Sequence, residues 1–205
     1  MKIIKTVSFV VMAMTLMAVV GVSAATATVM CKNGVSTTSC TEPYGAGTVI
    51  EATLTSGTTM ILETAGGTIL DTCTSSTMKA ITENKGSAVE TYIDDMTSLT
   101  FGNCTRTTNT VTLGSLVTHH ISGTDNGTVT AYDPTHVTID TIFGSCTYGN
   151  EGELTLGTLK GGNPASITIN TNVSKIMGNF ACPNPARWTA SYTVTAPKPT
   201  YPAAG

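Results

Sequence analysis

Along residues 188–195 the chain alternates without a slip. Trp188, Ala190, Tyr192 and Val194 fall on one side, and Thr189, Ser191, Thr193 and Thr195 on the other. Successive side chains of a strand point to opposite faces, so this two-residue period buries one face of a sheet and cannot make a helical stripe. The theme recurs where Val137, Ile139 and Thr141 alternate with Thr138, Asp140 and Ile142, and again at Ile167 and Ile169. Thr fills about a fifth of the 205 residues. Its branched β-carbon suits a half-exposed pleated surface.

Turn signals divide the alternating runs at short intervals. Ala65-Gly66-Gly67 separates residues 58–64 from 68–74, and Asp125-Asn126-Gly127 joins 111–121 to 128–132. Asp133-Pro134 leads into 136–143, Asn150-Glu151-Gly152 into 153–159, and Gly161-Gly162-Asn163-Pro164 into 165–173. These residue types supply the backbone angles that tight hairpins require. Short strands so spaced predict an all-β fold, an antiparallel β-sandwich of roughly 9–12 strands. One stretch, 77–84, reads equally as a helix or a strand. A membrane β-barrel also alternates, but it needs aromatic girdles, and aromatics are only 5% of this chain.

The N-terminus reads as an export signal. Lys2 and Lys5 precede an apolar run from Val7 to Val22, and small residues follow, with Val22 and Ala24, or Ala25 and Ala27, at the specificity positions. That is the layout of a cleaved secretory signal peptide, and the run is short for a membrane span. The expected organisation is a signal peptide at 1–24, an N-terminal arm at 25–45, a sandwich domain at 46–196 and a flexible Pro-rich tail at 197–205. Cleavage removes Lys2 and Lys5 and takes the formal charge from −3 to −5. So acidic a chain is a poor partner for nucleic acid, whose phosphates are neutralised by Lys and Arg. With no second long apolar stretch, no membrane span is expected after signal removal.

Six cysteines lie beyond that site: Cys31, Cys40, Cys73, Cys104, Cys146 and Cys182. An even count in an exported chain predicts three disulfides, although six cysteines allow 15 pairings. The pairing favoured is sequential, Cys31–Cys40, Cys73–Cys104 and Cys146–Cys182, with each longer loop worth about 3–4 kcal/mol. No two cysteines have the close spacing of zinc ligands.

Candidate reactive groups are scattered. His119 and His120 occupy one predicted strand and point to opposite faces, so they cannot easily share a metal, whereas one of them could still meet His136 across a hairpin. No Gly-x-Ser-x-Gly elbow supports a serine hydrolase. A glycosidase-like carboxylate pair would have to come from Glu90, Asp94, Asp95, Glu151 and Glu153, and such clefts are usually lined with aromatics. Asp125, Asn126 and Asp133 offer oxygens to calcium without the Asp-rich loop. Trp188, the single Trp, reads as a core ring packed near Cys182 in preference to a sugar platform. No cofactor, metal or catalytic residue is assigned.

The chain resembles a group of exported bacterial β-rich proteins of unestablished activity. The resemblance covers residues 67–199. It is carried by Leu70-Asp71-Thr72-Cys73-Thr74-Ser75-Ser76, by Ser98-Leu99-Thr100-Phe101-Gly102-Asn103-Cys104 and by Ser122-Gly123-Thr124-Asp125-Asn126-Gly127-Thr128. Cys146-Thr147-Tyr148-Gly149, Cys182-Pro183 and the Trp188-to-Thr195 strand complete it. It implies an exported β-rich fold and transfers no site residues. The function expected is a non-enzymatic binding or structural module of the extracellular space or cell surface. Its unknown ligand would sit at hairpin loops near 121–127 and 143–152. The alternatives are a secreted hydrolase using a carboxylate pair and a self-assembling matrix or biofilm subunit built from Thr-rich strand edges.

Overall fold

The computed structural model describes residues 28–34, 40–83 and 92–204. The expected signal peptide, Glu90 and Asn84 lie outside them. The described residues form strands and no helix: β1 (Thr28–Cys31), β2 (Val49–Leu54), β3 (Met60–Thr64), β4 (Ile69–Thr82), β5 (Tyr92–Cys104), β6 (Thr108–Thr112) and β7 (Ser115–His120), followed by β8 (Asn126–Ala131), β9 (Thr135–Thr141), β10 (Gly144–Asn150), β11 (Leu154–Lys160), β12 (Ser166–Met177), β13 (Ala186–Ala196) and β14 (Tyr201–Ala204). The ambiguous stretch after residue 77 is the second half of β4. Here Met78 and Ala80 turn inward and Lys79 and Ile81 outward, the strand period.

Twelve of these strands, β2 to β13, make an antiparallel β-sandwich whose layers share their longest strands. Pairings run from β2 to β4, β5, β7, β8, β11, β12 and β13, and from β13 back to β2, so this circuit has no free edge. Closure of that kind removes the unpaired edge groups that invite aggregation. Strand β3 fills the gap between the far ends of β13 and β4. The second layer, β10–β9–β6, hangs from the C-terminal end of β12. The Thr110 hydroxyl ties it to β5 by donating to the Leu99 carbonyl at 2.6 Å.

Turn chemistry sets the register. In the β3–β4 hairpin Gly67 takes φ 82°, which costs a glycine little and a branched residue much. The stretch read as one strand over 111–121 is broken at Gly114 into β6 and β7. A β-carbon there would lie 2.3 Å from the Asp133 carbonyl oxygen, so only glycine admits the close approach. Strand β8 begins at Asn126, placing the preceding turn at 121–125, one step earlier than the Asp-Asn-Gly signal suggests.

The expected flexible tail is a correction. Strand β14 pairs antiparallel with β1 along its whole length, Thr28 opposite Ala204 and Cys31 opposite Tyr201. Ala203 and Thr200 are buried, and the Tyr44 hydroxyl donates to the Pro199 carbonyl at 2.7 Å. The prolines do exclude a central strand, but a two-stranded ribbon is all edge and tolerates Pro202. The arm is held too. Thr28 and Met30 are buried, and the His120 backbone N–H donates to the Thr28 hydroxyl at 2.7 Å.

Three disulfides join Cys31 to Cys40, Cys73 to Cys104 and Cys146 to Cys182. Such staples suit an oxidising environment. Among the described residues no helix is long and apolar enough to cross a membrane.

Candidate functional site

The alternating strands send their apolar faces to one interior, and that interior is incompletely filled. Between the layers lies a cavity of about 60 Å³. Met60, Met78 and Met96 line it from β3, β4 and β5, Val129 and Ala131 from β8, and Ile139 from β9. No charged side chain is part of its wall. Three methionines give a soft, adaptable surface, because the unbranched thioether fits irregular gaps. On the scale of about 10–15 Å³ for each enclosed water, the cavity has the room of four to six waters, well under the roughly 150 Å³ of an apolar cavity that admits benzene.

Two residues of this apolar wall each carry a buried polar atom with no hydrogen-bond partner among the described residues, Tyr148 at its hydroxyl and Trp188 at its indole Nε1. The buried face of β10 is formed by Cys146, Tyr148 and Asn150. Tyr148 is only 3% exposed, and Trp188 packs against the cluster that holds Tyr148, Cys146 and Cys182. Burial pushes the Tyr148 phenol up to about 12, so the hydroxyl keeps its proton at neutral pH. Gly149 lets β10 approach β9, since a β-carbon there would lie 1.9 Å from the Thr135 carbonyl oxygen. The core reading of Trp188 agrees with its packing beside the disulfide-bearing cluster, yet the ring also faces the void.

Other polar side chains in the wall are engaged. Asn150 donates to the Asp133 carbonyl at 3.0 Å and to the Gly152 carbonyl at 2.7 Å, and accepts from the Thr135 N–H. The Thr135 hydroxyl accepts from the Gly114 N–H at 3.2 Å. Thr108 gives its hydroxyl proton to Asp71.

The titratable candidates from the sequence do not converge. His120 Nε2 donates to the Thr124 carbonyl at 2.6 Å, and His136 Nε2 lies 3.3 Å from the exposed Glu151 carboxylate without hydrogen-bonding geometry. Among the described residues, none of the three histidines belongs to a group able to hold a metal. The group that does form is Asp71, Cys73 and Cys104, and its sulfurs are joined to each other. Asp94 and Asp95 point to opposite faces of β5, Asp94 buried and Asp95 exposed. Burial pushes Asp94 up to about 7; the Thr82 hydroxyl, 2.9 Å away, works against this, and the charge of Asp95 adds to it. Asp95 shares a hydrogen bond with Glu83, which raises the Glu83 carboxyl. Glu153 is exposed beyond the β10–β11 turn.

Of the potential calcium ligands, Asp133 accepts from the Ser115 hydroxyl at 2.6 Å and Asn126 Oδ1 from the Gly161 N–H at 3.3 Å. The loop expected at 143–152 is mostly strand β10, with an apolar tip beside it. Ile142, Phe143, Met177 and Phe180 are exposed there, and Asn179 anchors the tip by donating to the Phe143 carbonyl.

The cavity was missed from sequence because an unfilled core has the same alternation as a filled one. The available signal was Tyr148 on an inward face, a polar-tipped ring where an aliphatic residue would be expected. Compared with known proteins, the chain matches no family model, no curated protein and no solved structure.

Proposed function

We propose that this protein is an exported, non-enzymatic binding module that holds a small, mainly apolar molecule between its layers. The observation that carries the reading is the cavity wall, three methionines with several aliphatic and aromatic side chains and no charged group. Small-molecule sites are concave, mostly apolar and marked by a few placed polar groups. The closed strand circuit supplies the rigid frame such a site needs. Export supports the reading as well: the N-terminal sequence has the pattern of a signal peptide, and three disulfides suit a compartment outside the cytoplasm.

The placement of Asp94 and Asp95 gives the hydrolase alternative no support from that pair. Asp94 and Asp95 face opposite sides of one strand, so they cannot flank one substrate. The matrix-subunit alternative needs free strand edges, which are absent from the main circuit and confined to β6 and the β1–β14 ribbon.

Thermal melting of the full chain with neutral apolar molecules of about four to six heavy atoms tests the proposal. Binding to the native state raises the melting temperature with ligand concentration, and Trp188, as the single Trp, reports the site by its fluorescence. Ligands should raise the melting temperature and shift Trp188 emission together. A panel that does neither overturns the reading.

A further inference from the structure

We propose that the apolar tip formed by the β9–β10 hairpin and the loop after β12 docks the protein on a phospholipid bilayer, its side chains entering the interfacial region. Ile142 and Phe143 project from the hairpin, 84% and 67% exposed, and Met177 and Phe180 from the loop, 70% and 98% exposed. None of the four lines the cavity, so this docking role is separate from the binding of a small molecule.

The hairpin and the loop form one unit. The Cys146–Cys182 disulfide joins them, and the Asn179 amide donates to the Phe143 carbonyl. The tip also satisfies its own backbone. The Phe143 N–H donates to the Thr141 hydroxyl at 3.2 Å, and that hydroxyl donates to the Gly144 carbonyl at 2.6 Å. In the loop the Ala181 N–H donates to Asn179 Oδ1 at 2.8 Å, and the Asn179 carbonyl accepts from the Cys182 N–H at 3.2 Å. A turn that stays in water can leave such groups to the solvent. One that enters lipid must pair them internally, because an unsatisfied polar group there is costly.

Area and charge select the occupant. Two phenylalanines at about 150–250 Å² each, with one Ile and one Met, offer less than the roughly 800 Å² that each partner gives a stable protein interface. A second copy docked tip to tip would be short of area. A bilayer needs no matching pocket, since its acyl boundary receives any apolar projection. Residues 141–146 and 176–186 contain no charged side chain, so insertion carries no charge out of water. At the base of the tip the Lys175 ammonium donates to the Asn179 carbonyl at 3.3 Å. From there its positive charge complements the lipid phosphates, while its stem stays along the apolar surface. Asp140, next to the hairpin in sequence, accepts from the Ser145 hydroxyl at 2.7 Å. With a single cation at the tip of an acidic chain, the attraction is mainly apolar and little screened by salt.

Flotation of the exported protein with phosphatidylcholine vesicles tests this. The protein should float with the vesicles and stay bound in high salt. The double variant Phe143→Ser/Phe180→Ser should bind more than about tenfold more weakly, the effect of withholding two large side chains from an apolar phase. Val49→Ser should bind as the original does, because Val49 is exposed on β2, which pairs with the far, C-terminal end of β13. Phe180→Trp keeps the tip apolar and reports its depth. Its emission should shift to the blue on vesicles and be quenched by brominated acyl chains, above the constant signal of Trp188. A protein that does not float, or that floats equally well without both phenylalanines, overturns the proposal. So does a dimer that the double variant converts to monomer with no vesicle binding, which assigns the tip to a second copy of the chain. If the double variant fails to fold, the Phe180→Trp quenching decides alone, and its absence overturns the proposal.

Discussion

The Tyr192 hydroxyl donates to Ser76 Oγ at 2.9 Å, and Ser76 passes its own proton to the Thr100 carbonyl at 2.8 Å. Tyr192 is fully buried on β13, Ser76 lies on β4 and Thr100 on β5. A chain of two hydrogen bonds therefore crosses the core between segments 116 residues apart in sequence. Burial pushes the Tyr192 phenol up to about 12, with the Ser76 hydrogen bond pulling the other way. The hydroxyl stays protonated at any pH the fold is expected to meet.

Tyr192→Phe should cost about 1–2 kcal/mol, since Ser76 keeps the Thr100 carbonyl and loses only the donated bond. Ser76→Ala strands the tyrosine hydroxyl in the core and should cost more, about 2–3 kcal/mol. Urea unfolding of both variants checks the order. A Tyr192→Phe variant less stable than Ser76→Ala would show that the hydroxyl has another partner.

Asp71 is fully buried beside the Cys73–Cys104 disulfide. Its carboxylate accepts from the Thr72 N–H at 2.9 Å, the Arg106 N–H at 2.9 Å, the Thr105 hydroxyl at 2.7 Å and the Thr108 hydroxyl. These bonds fold the β5–β6 turn back onto β4. Asp71→Asn replaces one acceptor oxygen with a donor that faces other donors. It should destabilise by about 2–4 kcal/mol, the range for breaking hydrogen bonds to a buried charged group. Denaturant titration gives the number, and a loss below about 1 kcal/mol would assign the turn's stability to the disulfide alone.

Asp94 predicts a pH dependence of opposite sense to ordinary acid denaturation. Its carboxyl rises from an ordinary value near 3.8 to about 7 on folding, so between these values the native state binds the extra proton. Stability is then fully present below the unfolded value and is lost as pH rises through about 7. The contribution is at most roughly 4 kcal/mol, from about three pH units at 1.36 kcal/mol each. Asp94→Asn mimics the protonated form and keeps an acceptor for the Thr82 hydroxyl. It should flatten the decline in melting temperature between pH 5 and pH 8. An unchanged slope in the variant would mean that the carboxyl is not the titrating group.

The fold was legible where one residue type decides the backbone. The alternation at 188–195 is the inward face of β13, and Ala65-Gly66-Gly67 is the β3–β4 hairpin, because strand period and turn angles are local properties. Residues 201–204, read as part of a flexible tail, were misread for a related reason. Proline forbids a central strand, a local rule, but Pro202 pairs in a ribbon with β1, a partner more than 170 residues away whose position no local pattern records. Residues 111–121 alternate well enough for one strand, yet Gly114 breaks them because the Asp133 carbonyl arrives from a distant segment. The site was less legible still. Histidines and carboxylates drew notice by their chemistry, whereas the cavity arises from the summed volumes of side chains on eleven strands. Tyr148 and Trp188 are distinguished by what they fail to touch, and that is visible only in three dimensions.

The Cys146–Cys182 bond should couple stability to the cavity. It ties β10 to the segment before β13, and Tyr148 lies two residues from Cys146 in the same buried cluster. Replacing both cysteines by alanine frees a loop spanning 36 residues, worth about 4 kcal/mol on the chain-entropy scale, against about 2.5 kcal/mol for the 9-residue Cys31–Cys40 span. The Cys31/Cys40 double variant loosens the β1–β14 ribbon, where Cys31 and Ala203 form a separate buried cluster. It should lower stability and leave the affinity for a small apolar cavity ligand unchanged. The Cys146/Cys182 variant should lower both, because Tyr148 and Trp188, which line the cavity, then lose the packing that holds them. Melting curves and Trp188 titrations on the two double variants separate the effects. Equal loss of affinity in both would show that the disulfides act on overall stability and not on the geometry of the cavity.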